Sequence, residues 1–166
     1  MITIYLMRHG ETEENAKGIF QGQNPGTLSD KGKMQARMMH AKVAALNFDA
    51  VLCSDLQRCR DTAAIVLENT GFVPFYTPLL RERDMGNLVG KPIAGAQFNK
   101  TVENAGQVRQ RINLFVNEIK KEYSGKTLLV ISHGYFCRLF QAFIEKKRAE
   151  DVVGLENCEI RKIELD

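Results

Sequence analysis

No two cysteines in this 166-residue chain have the C-x-x-C spacing of a zinc or dithiol site, and three histidines leave few other ligands for zinc. A zinc site is therefore not expected. Cys53 falls at a strand end, Cys59 and Cys137 near helix starts, and with Cys158 they read as buried free thiols. No apolar run approaches the roughly 20 residues of a membrane span. A cleavable leader is not expected, because the first strand begins at Ile2 and has to be kept. These absences point to a cytoplasmic protein with no membrane partner. Repeats and low-complexity tracts are also missing. The net charge of +3 is only mildly basic, and the one basic cluster, Lys146-Lys147-Arg148, reads as a helix C-terminus, so no nucleic-acid partner is expected. A hydrophobic content of 44% suits one domain with a full core, residues 1–166.

What is present is an alternation of strand and helix. The patterning predicts strands over 2–7, 49–53, 73–76, 127–132 and 158–164, and helices over 29–46, 56–69, 103–122 and 134–145. That order implies an α/β fold, a layered, mainly parallel sheet with helices on both faces. In the first of these helices, spacing sets His40 with Lys33 and Arg37 on a surface face and gives Met34 and Met38 to the core.

Four segments carry chemistry. The run Ile2 to Met7 has no charge and no turn residue, as in a strand covered on both faces, and it ends in Arg8-His9-Gly10-Glu11-Thr12. In open α/β sheets the carboxyl ends of strands are where ligands bind. A second strand ends at Cys53, with Ser54 or Asp55 as expected N-cap and Arg58 in the first turn of the helix. A cation there opposes the helix dipole unless an anion lies beside it. Arg60, further round, reads as a surface arginine. A third strand, Thr127 to Ser132, ends in His133-Gly134, a second His-Gly at a carboxyl end. Finally, Glu82 stands in a charged loop punctuated by Gly86 and Gly90, where it could be a proton donor or simply solvated.

In this order and at these separations the segments resemble the histidine phosphatase superfamily, also called phosphoglycerate mutase-like, on its phosphatase branch. The resemblance is carried by Arg8-His9-Gly10-Glu11-Thr12 with Asn15, by Gln21-Gly22, and by Ser54-Asp55-Leu56-Gln57-Arg58 with Thr62-Ala63. Leu80-x-Glu82-x-x-x-Gly86-x-x-x-Gly90, Ser132-His133-Gly134 and the closing Leu155 to Ile160 complete it. It implies a three-layer sandwich with an antiparallel edge strand at the end of the chain, and a small cap over the strand ends, an insertion at about 79–101. It also implies site roles: His9 as the phosphorylated nucleophile, Arg8, Arg58 and His133 as the phosphoryl clamp, and Glu82 as the general acid. Asn15, Gln21, Gly22 and Gly134 are implied substrate contacts. The residue types suit the chemistry, since phosphoryl transfer is mainly positioning and electrostatic stabilisation, and arginine forks onto phosphoryl oxygens in a way lysine does not.

The chain also departs from the family. The stretch between Glu82 and His133 is shorter than in its mutases, Glu103-Asn104-Ala105-Gly106-Gln107 replaces the usual Gly-Glu-Ser, and Gln23 to Ser29 lacks Asp-x-Pro-Leu. The expectation is a phosphomonoester phosphatase with no cofactor and no metal, working through a phosphohistidine on small phosphorylated metabolites, as a monomer or homodimer. Three alternatives stay open: a phosphoglycerate mutase-type phosphotransferase, a phosphoprotein phosphatase that includes phosphohistidine proteins, and a module that binds phosphorylated partners without turnover.

Overall fold

A computed structural model describes all 166 residues. Its core is a five-stranded sheet of β1 (Ile2–Arg8), β2 (Ala50–Ser54), β3 (Phe75–Thr77), β4 (Thr127–Ser132) and β5 (Ile160–Leu165). The strand order is β3-β2-β4-β1-β5; only β5 runs antiparallel, at the edge beside β1. The helices are α1 (Glu13–Lys17), α2 (Asp30–Ala44), α3 (Gln57–Val66), α4 (Ala105–Glu122) and α5 (Gly134–Ile144).

Side-chain alternation along the strands divides the core into two layers. Ile2, Ile4 and Leu6 of β1 face α4 and α5 with Leu128 and Val130, while Met7, Leu129 and Ile131 face α2 and α3. α5 is the most apolar helix; Phe136, Leu139 and Phe140 are almost fully buried, each contributing about 1.5–3 kcal/mol of burial. β4 is inserted between β1 and β2. Arg8 therefore pairs in register with Ser132, and Arg8-His9 and Ser132-His133 leave neighbouring strands side by side.

The structure departs from several sequence expectations. The buried face of α2 is Gly32, Ala36 and Val43, and Met34 and Met38 are 60% and 75% exposed. The reason is Gly32: a Cβ there would lie 1.9 Å from the Glu11 carbonyl, so the helix meets the Glu11 backbone directly and its rotation is set by that approach. His40 is consequently half-buried, with Nδ1 3.2 Å from the Val66 carbonyl. The N-cap of α3 is Leu56, without a side-chain cap, because Ser54 and Asp55 are engaged elsewhere: Ser54 Oγ lies 2.8 Å from His133 Nε2, and the Asp55 carboxylate is forked by Arg81 at 2.7 Å on each oxygen. Arg60 is also half-buried, stacked 4.0 Å over the Tyr76 ring and donating from Nε to the Asp55 carbonyl. α1 was not expected, because a single turn with no buried residue leaves no apolar period to read. β5 begins at Ile160, since Cys158 adopts a left-handed φ of 61° that delays the strand.

Candidate active site

A solvent-open cavity of about 400 Å³ lies at the carboxyl ends of β1 and β4, walled also by the 15–22 segment, by Arg58 of α3 and by the 82–98 segment. Arg8, His9, Asn15, Gln21, Gly22, Arg58, Glu82 and Gly134 all line it. Of the residues expected in the site, His133 alone is off the wall.

His9 follows the end of β1, 2% exposed. Its Nδ1 lies 2.7 Å from the Gly10 carbonyl, which can only accept, so Nδ1 carries the proton and Nε2 keeps a free lone pair. Burial, then the Arg58 charge, holds this imidazole well below its ordinary range despite the Gly10 carbonyl, so it is neutral at pH 7. The backbone around it is tied on two sides. Asn157 Nδ2 donates to the His9 carbonyl at 3.1 Å, and the Gly10 N–H donates to Thr62 Oγ1, whose hydroxyl donates to the Arg58 carbonyl.

Arg8 donates from one terminal nitrogen to the Leu155 carbonyl at 2.9 Å, while its Nε is buried with no partner. Its guanidinium packs over Gly134; a Cβ at that position would lie 3.2 Å from the guanidinium carbon. Arg58 is spent differently. Its Nε donates to His133 Nδ1, and its terminal nitrogens donate to the carbonyls of Gly22, Asn24 and Pro25. Of five N–H groups, one is left. The loop that receives them turns at Gly26, whose φ of 72° and position against Gln21 and the Arg58 side chain admit no Cβ.

His133 is the N-cap residue of α5 and is fully buried. Because Nδ1 accepts from Arg58, Nε2 carries the proton and donates to Ser54 Oγ. Burial and then the Arg58 charge hold this ring well below the usual imidazole range too. The rings of His9 and His133 meet edge-on at 5.2 Å. His133 thus stands behind Arg58 and orients it.

Glu82 sits at the amino end of α5, accepting from the N–H groups of Tyr135, Phe136 and Arg83 at 2.9–3.2 Å, as suits a carboxylate at a helix N-terminus. Three further residues support this part of the site and have no signal in the sequence. Arg111 of α4 donates to the carbonyls of Leu79, Arg81 and Glu82 and forks onto Glu103, bracing the acid loop from behind. Arg83 and Arg138 line the cavity beyond the inner cluster. All four cysteines are free and buried, and no group of three or more His, Cys, Asp or Glu is placed to hold a metal ion.

A neutral imidazole with one free ring nitrogen is thus set among arginines at the carboxyl ends of a mostly parallel sheet, where open α/β sheets bind ligands. Residues 4–166 match the model of the Histidine phosphatase superfamily (branch 1), and the chain belongs to that family. It is 42% identical to the adenosylcobalamin/alpha-ribazole phosphatase of Salmonella typhimurium over 147 residues, covering 78% of this chain and 73% of that one. It is 30% identical over 183 residues to "Probable phosphoglycerate mutase GpmB" of Enterobacter sp., with 99% of this chain and 85% of that one covered. In fold it is similar to the crystal structure of the alpha-ribazole phosphatase from Shigella flexneri, with a TM-score of 0.88 and 24% identity over 99% of this chain and 91% of that one. The family therefore includes both phosphatases and mutases. No helix is long and apolar enough to cross a membrane.

Proposed function

We propose that the protein is a phosphomonoester phosphatase that acts on small phosphorylated metabolites through a phosphohistidine at His9. One observation carries this reading: an imidazole fixed through Nδ1, its Nε2 unbonded, beside an arginine whose Nε is buried without a partner. A phosphoryl oxygen supplies the acceptor that Arg8 lacks. In the first step His9 Nε2 forms a bond to phosphorus, the ester P–O bond breaks, and Glu82 gives its proton to the leaving oxygen. In the second step water forms the new P–O bond, the N–P bond breaks, and the water proton passes to Glu82. The net result is ester plus water to alcohol plus phosphate. His133 positions Arg58 throughout.

Hydrolysis is favoured over mutase chemistry by the cap, residues 79–101. Its regular structure is limited to the end of the Pro78–Leu80 turn, the short turn Gly86–Leu88 and an isolated bridge from Pro92 to Ile19, and most of residues 91–100 are exposed. A mutase has to retain its intermediate and keep water from the phosphohistidine. Given 3-phosphoglycerate with the bisphosphoglycerate primer, the protein should release phosphate and form little 2-phosphoglycerate. Rapid isomer exchange with negligible phosphate release would establish the mutase instead.

A further inference from the structure

The outer half of the cavity has a chemistry that a bare phosphate does not use. Four arginines line the cavity, Arg8, Arg58, Arg83 and Arg138, against the carboxylate of Glu82, which three backbone N–H groups already hold. A phosphomonoester brings about two negative charges, which Arg8 and Arg58 are placed to meet. Arg83 and Arg138 are left over.

Both are anchored through Nε, and neither forms an ion pair. Arg83 donates from Nε to the Glu103 carbonyl at 2.6 Å, and its guanidinium carbon lies 4.8 Å from the centre of the Phe98 ring and 4.9 Å from that of Tyr135. Arg138 donates from Nε to the carbonyls of Ala149 and Val152. Their terminal nitrogens make no bond within the protein, so each presents a fork already fixed in orientation, the arrangement that favours a planar acid. Arg138 lies one helical turn from Tyr135 and Gly134 on the same face of α5, so the Arg83–Tyr135 stack and Arg138 flank one stretch of wall. Beside the cations the wall is apolar, and Phe98, on which Arg83 packs, belongs to it. Phe20 and Phe98 meet at 6.0 Å, and Ile93 and Phe98 remain 49% and 58% exposed although they line the cavity. A polyol leaving group would leave that surface bare.

We infer that the cavity is built for phosphomonoesters whose leaving group has a flat apolar body and a second acidic group, the body resting on Phe98, Ile93 and Phe20 and the acid held by Arg83 and Arg138. This rests on the phosphatase reading and narrows it to a substrate class.

The test compares the phosphate ester of 3-(4-hydroxyphenyl)propanoate with that of its carboxamide, two substrates whose phenols are alike and which differ in the remote acid. The expected kcat/KM for the acid is about tenfold above that for the amide, and the preference shrinks at high salt. In Arg83→Gln and in Arg138→Gln the acid-to-amide ratio should fall toward one, and Phe98→Ala should lower kcat/KM for both esters about fivefold. Phosphate release from both esters at equal rates, or a ratio that neither arginine substitution moves, would overturn the second-acid site and leave the phosphatase reading standing. Undiminished turnover by Phe98→Ala would overturn the apolar half. Release of phosphate from neither ester would overturn the phosphatase reading, and this inference with it.

Discussion

Acidification from pH 7.5 to 5.5 should destabilise this protein through two residues in particular. His9 and His133 are buried, and both are held well below the ordinary imidazole value by burial and by Arg58. The unfolded chain binds their protons and the folded chain does not. Their contribution is therefore intact above about pH 6.5 and is lost progressively as pH falls below it. For a group with an unfolded pKa of about 6.5 the loss is about 1.4 kcal/mol between pH 7.5 and 5.5, so the pair loses up to about 2.7 kcal/mol. Carboxylates contribute under about 0.1 kcal/mol each in that window, because it lies above their unfolded pKa. For a chain of this length the loss lowers Tm by about 8 °C. Urea unfolding followed by circular dichroism at the two pH values measures it, and His9→Asn should remove about half of the drop. Equal stability at both pH values, or a drop that His9→Asn leaves whole, would refute the reasoning.

Further outcomes are expected from the residues around the cavity. Arg111→Met removes five hydrogen bonds, two to the Glu103 carboxylate and one each to the carbonyls of Leu79, Arg81 and Glu82; it should cost about 3 kcal/mol in urea unfolding and lower kcat with it. Unchanged kcat would show that the loop does not need this brace. Glu82→Gln should slow alkyl phosphates by about 10²–10⁴ and nearly spare an aryl phosphate with an acidic phenol, as steady-state kinetics would show. Equal losses on both would move the acid role to another group.

The candidate residues near the ends of β1, β2 and β4 are legible because their types suit phosphoryl chemistry and strand ends place them. Arg8, His9, Arg58 and Glu82 reach one cavity as the motif order implies. What the sequence hides is how donors are distributed. Arg58 spends four of its five N–H groups on His133 and the 22–25 loop, and His133 braces it instead of lining the cavity, a matter of side-chain orientation. Arg111 and Asn157 act on backbone carbonyls, which have no sequence signature. For α2 the apolar period assigns Met34 and Met38 to the core, whereas the close approach of Gly32 to Glu11 decides the buried face. Packing set that face, and hydropathy did not.

The proposed function stands or falls with His9 as the carrier of the phosphoryl group. Mixing the protein with a turning-over phosphomonoester, quenching within the turnover time without acid, and locating the modification by mass spectrometry tests it directly. Phosphate should be found on the His9 imidazole and on no other side chain, and His9→Ala should lose both the modification and phosphate release. Steady release of phosphate with His9 unmodified, or an active His9→Ala protein, would contradict the account.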